Sequence, residues 1–289
     1  MSVKSACSRV LLALVLTCEF SMAFAATDTS TMLSIALPKA DASIPAELQA
    51  ETVRQTVQGL QLYRNDTASA VASDSLVASG LLKGIAHPTG WLTSGEDPTG
   101  DLWTVAFTEE REGKPYAFAD ATVEFTNGKP KVSLQHNVPS RPIVGMESVL
   151  LHARDLAIKA DFLRCANRYN QAVTLRKDNG SEVIDVDLLP ARMDPEVYYL
   201  GGYHEFRYVV SGDAKPQHFA ETKTCVTSSH EPQNALAMMV THLTSPTPTQ
   251  FHIFMSLSYG KPIIVLTAEK QLVWAVESGH MRVLRKLQP

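Results

Sequence analysis

The sequence predicts an α+β fold, with antiparallel sheets, helices packed on them, and a four-stranded meander at the C-terminus. Three observations lead there. Residues 251–257, 263–267, 272–276 and 281–284 are short runs of β-branched, aromatic and aliphatic residues. They are separated by Tyr259-Gly260-Lys261-Pro262, Glu269-Lys270 and Glu277-Ser278-Gly279-His280, all rich in turn formers. Asn127-Gly128 and Asn179-Gly180 each sit between apolar alternations, the strongest short-range hairpin signal. Met146, Val149, Leu150, Ala153, Leu156, Ala157, Ala160 and Leu163 recur at helical spacing.

In chain order, the first 25 residues read as a cleaved signal peptide. Lys4 and Arg9 precede the apolar stretch 10–16, and Ala23-Phe24-Ala25 is a small-x-small cleavage site. The apolar stretch is too short to span a membrane, so no transmembrane anchor is expected. Lipid attachment at Cys18 is the rival to cleavage before Ala26. Removal of residues 1–25 takes Lys4, Arg9 and Glu19 with it and moves the formal charge from −4 to −5. That balance gives nucleic acid or an anionic lipid surface no general attraction.

Residues 26–42 read as a linker, with Leu33, Ile35 and Leu37 alternating as an edge strand would. A helix is expected from Ser43, with Ser43 as cap, Pro45 in the first turn and Val53, Val57 and Leu60 on its apolar face. Asn65-Asp66 ends it, and a weaker helix follows at 74–85. The proline- and glycine-bearing segment 87–101 reads as a loop. Strands follow at 102–108, 116–125 and 131–136, then the long helix 147–167. Further strands are expected at 172–176, 182–188, 197–200, 203–210 and 219–226, then a short helix at 233–242. A soft boundary near Ser140 divides 26–139 from 140–289, two α+β subdomains.

Between Cys165 and Cys225, Tyr169-Asn170, Leu188-Leu189-Pro190, Leu200-Gly201-Gly202-Tyr203-His204-Glu205-Phe206-Arg207 and Lys223-Thr224-Cys225 form a pattern. It resembles uncharacterised exported bacterial proteins. The resemblance implies a bacterial origin, assigns no activity and transfers no functional residue.

Cys165 and Cys225 are the two cysteines outside the leader. In an oxidising compartment they are expected to form one disulfide, the alternative being two buried thiols. No metal or other cofactor is predicted. In His204-Glu205-Phe206-Arg207-Tyr208, Tyr208 stands where a zinc-protease helix needs its second histidine. The remaining histidines are scattered, and a site assembled from distant ones, such as His204 with His218, is the alternative. Ser258-Tyr259-Gly260-Lys261 lies at a turn, the nucleophile-elbow and phosphate-loop patterns are absent, and 97–101 is too short for a calcium loop. Glu124, Asp185, Asp187 and Glu205 are strand carboxylates that a fold can pair, although a solvent-facing edge explains Asp185 and Asp187 as well.

Tyr198, Tyr199, Tyr203 and His204 surround Gly201-Gly202 and form the candidate ligand-binding segment, since tyrosines offer rigid area with a polar tip. Core packing, with His204, Phe206, Tyr208 and Val210 on one strand face, is the competing reading. Trp91 is a second candidate in its loop. The sequence therefore points to a periplasmic or secreted, non-enzymatic binding protein for a partner protein or an envelope glycan. The alternative is a hydrolase of a cell-envelope polymer using His204, Glu205 or Asp187.

Overall fold

A computed structural model describes residues 39–95, 100–127, 129–210, 215–229 and 235–287. The leader, Cys18, the alternation at 33–37, most of 97–101 and His230-Glu231-Pro232 lie outside them. The architecture is α+β: three α-helices and fourteen strands in four sheets among the described residues. No helix there is long and apolar enough to cross a membrane.

The first helix, α1, spans Ala46–Ser79, 34 residues. It does not end at Asn65-Asp66. Asn65 is buried, and the Asp66 carboxylate accepts a hydrogen bond from Asn170 Nδ2 at 3.0 Å. A tertiary partner thus engages Asp66, and its side chain no longer competes for the helix backbone. The stop is Gly80, whose left-handed backbone (φ 75°) lets its N–H reach Val77 O. Nor does Ser43 cap the helix; its Oγ accepts the Val283 N–H at 2.9 Å. The buried stripe is Thr52, Gln55, Thr56 and Gly59 rather than Val53 and Val57, which are only half-buried.

Four strands form an antiparallel meander: β1 (Pro88–Gly95), β2 (Leu102–Arg111), β3 (Lys114–Thr126) and β4 (Lys129–Pro142). β1 replaces the expected loop. Its proline and glycines stand at the ends, leaving Trp91 to Ser94 free to pair with Phe107 to Thr104. The helix α2, Met146–Lys159, is shorter than expected. The chain leaves it at Ala160 because Phe162 packs on Tyr169, His204 and Phe206. Arg154 is buried and donates to the carbonyls of Trp91 (2.6 Å) and Thr89 (3.2 Å), tying α2 to β1.

The third layer holds β5 (Tyr169–Asp178), β6 (Ser181–Pro190), β8 (His204–Val209) and β9 (Gln217–Ala220), in the order β5-β6-β8-β9. Before β8, β7 (Val197–Tyr199) pairs with β10 (Thr227–Ser229); of the expected strand 219–226 only Phe219 and Ala220 are paired, at the end of β9. The predicted disulfide forms: Cys165 and Cys225 are bonded with Cα atoms 5.3 Å apart. It ties the segment after α2 to the segment before β10, rather than a helix to a strand. Gly202 lies against it, because a Cβ there would come within 2.6 Å of Cys165 Cβ.

The C-terminal sheet has four strands, with one change of membership. Residues 251–257 are helical, within α3 (Gln250–Tyr259), and the fourth strand is β11 (Met238–His242), expected to be helical. β11 runs parallel to β12 (Ile263–Thr267), which continues antiparallel through β13 (Leu272–Glu277) and β14 (His280–Lys286). A parallel pair needs a crossover, and α3 supplies it. Every residue from Gln250 to Leu257 is buried. An apolar run buried all round carries no period that separates helix from strand. The Thr249–His252 capping box starts the helix and Gly260 (φ 62°) stops it.

The largest core joins Leu48, Leu60 and Leu62 of α1 to Phe251, Ile253 and Met255 of α3 and to Ile263, Val265 and Trp274 of the C-terminal sheet. Further along α1, Ala68, Ala72 and Leu76 pack on β2 and β3 through Trp103, Val105, Phe118 and Val123. One helix therefore serves two cores. Its closest approach is at Gly59, where a Cβ would lie 2.4 Å from Ile253 Cβ and 2.7 Å from Gln250 O. Helix propensity alone makes Gly59→Ala stabilising by about 0.5–1 kcal/mol, whereas overpacking costs roughly 1–3 kcal/mol. Urea unfolding is expected to show a net loss of about 1 kcal/mol; a gain in stability would contradict the close approach.

Candidate functional site

The tyrosines and histidine singled out in the sequence do not share one surface. Tyr203 is buried, its ring stacked on Phe251 at 5.4 Å, and its hydroxyl meets Tyr259 Oη (2.9 Å) and donates to Tyr199 O (3.1 Å). His204, also buried, lies against Phe162 on the α2 side of β8. It contacts Leu163 O at 3.0 Å and His218 Nε2 at 3.1 Å, and burial pushes its pKa down to about 4. The two distant histidines thus do come together. Tyr198 and Tyr199 are half-buried; Tyr198 meets the Tyr259 ring edge-on, with the Arg192 guanidinium 4.2 Å from its centroid. Trp91 stands on β1, partly buried against the second core, not in a loop.

What converges instead is a set of carboxylates. β6 is an interior strand, flanked by β5 and β8, so Asp185 and Asp187 are not at a solvent-facing edge. Ile184, Val186 and Leu188 enter the core under α2. The alternating positions, Asp185 and Asp187, face α1. Across the ladder Asp185 pairs with Arg207 and Asp187 with Glu205. All three carboxylates are buried. Gln58, Gln61 and Leu62 of α1, with Thr174 and Gln250, close over them and leave a cavity of only about 10 Å³.

Their partners are unequal. Asp185 accepts one bond from Arg176 Nε and one from Arg207 Nε, each 2.6 Å. Glu205 accepts from Arg207 Nη2 and from Gln250 Nε2, each 2.7 Å. Asp187 Oδ1 has no hydrogen-bond partner. Desolvation, then the charges of Glu205 and Asp185, hold the Asp187 pKa well above the carboxylate range. Desolvation and Asp185 push Glu205 up to about 7. The two carboxyl groups facing each other are therefore both more basic than free ones, the signature of crowded like charges away from water.

A second constellation lies beyond β9. The buried carboxylate Glu221 places Oε1 3.0 Å from His242 Nδ1 and 3.2 Å from His252 Nε2. Its Oε2 accepts from Thr249 Oγ1 at 2.6 Å. Although desolvation raises its pKa, the two imidazoles and the hydroxyl outweigh it and hold Glu221 down at about 2, while burial takes His252 down to about 4. His242 Nε2 reaches Ser245 Oγ at 2.7 Å, completing a serine–histidine–carboxylate chain. It is not set for nucleophilic attack. Ser245 Oγ donates to Thr247 O (2.6 Å), and the contact of His242 Nδ1 with Oε1 is too oblique for an aligned hydrogen bond.

Comparisons with protein-family models, curated proteins and solved structures find no match. The sequence marked Asp185 and Asp187 only as strand carboxylates, because Ile184-Asp185-Val186-Asp187-Leu188 alternates as a half-exposed strand does. Glu221, His242 and His252 have no motif spacing and only the fold unites them.

Because the Asp187–Glu205 pair is more basic folded than unfolded, the folded state binds the extra proton. Its contribution to stability is present below about pH 4.5 and is lost as pH rises through about 7. Urea unfolding at pH 5 and pH 8 is expected to show a pH-dependent loss on the order of 2–3 kcal/mol that the D187N/E205Q double variant lacks. Identical pH dependence in the two proteins would contradict the shared proton.

Proposed function

We propose that the chain is an exported, non-enzymatic binding protein of the bacterial envelope, and that it engages a glycan at the mouth of the Asp187–Glu205 cleft. The observation that carries this reading is the unpartnered Asp187 oxygen at a cleft otherwise lined by amides and a hydroxyl: Gln58, Gln61, Gln250 and Thr174. Vicinal sugar hydroxyls both donate and accept. A carboxyl–carboxylate pair flanked by amides offers the complementary set, and a bound hydroxyl would relieve the Asp187 oxygen of its desolvation cost. The enclosed space, about 10 Å³, is too small for a sugar ring, so the glycan lies outside and presents a hydroxyl at the cleft mouth. The disulfide and the leader expected in the sequence support export.

One observation favours the hydrolase instead: Glu205, pushed up to about 7, has the proton affinity that a general acid needs at neutral pH. Co-sedimentation with purified peptidoglycan, together with an assay for released reducing ends, separates the two. The wild-type chain is expected to sediment without releasing reducing ends, and D187N/E205Q to bind at least about tenfold more weakly. Failure of the wild type to sediment, or equal binding by the double variant, would overturn the reading. Release of reducing ends that is abolished in E205Q would establish the hydrolase.

A further inference from the structure

We propose that Glu221, His242 and His252 are the ligands of a divalent transition-metal site, with zinc the best match. The three come from different parts of the fold: Glu221 just after β9, His242 at the end of β11, His252 in the first turn of α3. Their ligand atoms lie within 4.8 Å of one another and all three residues are buried. Zinc bonds of about 2.0–2.2 Å set tetrahedral ligand–ligand edges near 3.4 Å. The edges from Oε1 to the two imidazoles, 3.0 and 3.2 Å, need to open by only a few tenths of an ångström.

Two further observations point to a cation. Glu221 Oε1 and His242 Nδ1 are enclosed, and neither has an aligned hydrogen-bond partner although they are 3.0 Å apart. An ion between them would engage both. Each imidazole also has a hydroxyl at its other nitrogen, as orienting groups around metal-bound histidines do. His242 Nε2–H can donate to Ser245 Oγ, whose own proton goes to Thr247 O. His252 Nδ1 accepts the Thr249 N–H at 3.0 Å and also lies 3.2 Å from Thr249 Oγ1. On metal binding through Nε2 the ring proton moves to Nδ1 and is accepted by Thr249 Oγ1, which donates onward to Glu221 Oε2. The exchange gives up one capping bond and leaves the charge of the ring unchanged.

Two imidazoles select a transition metal over magnesium or calcium, and two nitrogens with one carboxylate suit zinc. Three protein ligands leave one tetrahedral position.

The test uses the untagged chain, stripped with chelator, and zinc and cobalt as probes. One equivalent of zinc is expected to bind, and cobalt to give the visible absorption of a tetrahedral ion. E221Q and H242N are each expected to weaken zinc about 100-fold or more. S245A, at a half-buried position that spares the core, is expected to weaken it about tenfold. H218N, which removes an imidazole from the separate His204–His218 pair, should change neither readout. The proposal is overturned if the folded wild type binds no stoichiometric zinc or gives no tetrahedral cobalt spectrum. It is equally overturned if E221Q and S245A bind as the wild type does, or if H218N abolishes binding.

Discussion

The contact of α1 with α3 at Gly59 is the constraint on which the other layers depend. Gly59 has no side chain to hold the helices apart, and Ile253 fills the space it leaves. The stripe around it is polar, and its members bond across the crossing: Gln55 Oε1 accepts the Gln250 backbone N–H at 2.7 Å. That bond satisfies one of the orphan amides at the start of α3 and also fixes Gln250. Gln250 in turn donates to Glu205. A helix-packing contact therefore sets the geometry at the carboxylates, and the same start of α3 carries His252.

The carboxylate layer costs stability. Asp185 is held by two guanidinium groups, whereas for Asp187 desolvation and the neighbouring carboxylates outweigh what Gln250 and Arg207 offer and push its carboxyl well above the usual range. A core that needed only to fold would place apolar residues opposite Gln58 and Gln61. The arrangement is accounted for if a ligand supplies the missing hydrogen bonds, which is why the cleft, and not the tyrosine segment, carries the functional reading.

Local chemistry was legible in the sequence, and long-range chemistry was not. Asn179-Gly180 and Ser278-Gly279 take positive φ at both residues, as two-residue hairpin turns demand, and the strands beside them lie where alternation placed them. The cysteine pairing followed from compartment and count. The start of α3 was misread because residues 251–257 alternate by accident within a fully buried run. The buried face of α1 was misread because close packing there uses threonine, glutamine and glycine, which a hydrophobic-periodicity argument passes over. Asp185 and Asp187 were visible as strand carboxylates. Their burial depended on whether β6 stood inside the sheet or at its edge, which pairing decides and composition does not. Tyr203 illustrates the reverse: an apparent recognition residue whose hydroxyl is taken up by Tyr259 and Tyr199 inside the core.

Carbon-13 NMR of the side-chain carboxyls reads the protonation of the two facing groups directly. With Asp and Glu labelled, the Asp187 and Glu205 resonances, assigned from D187N and E205Q, should report one proton retained by the pair at pH 7. The last titration step of the pair should fall near neutrality or above. If both resonances instead moved through ordinary carboxylate midpoints below about pH 5, the pair would be fully charged at pH 7. The cleft would then be a solvated groove, not a site awaiting a hydrogen-bonding ligand.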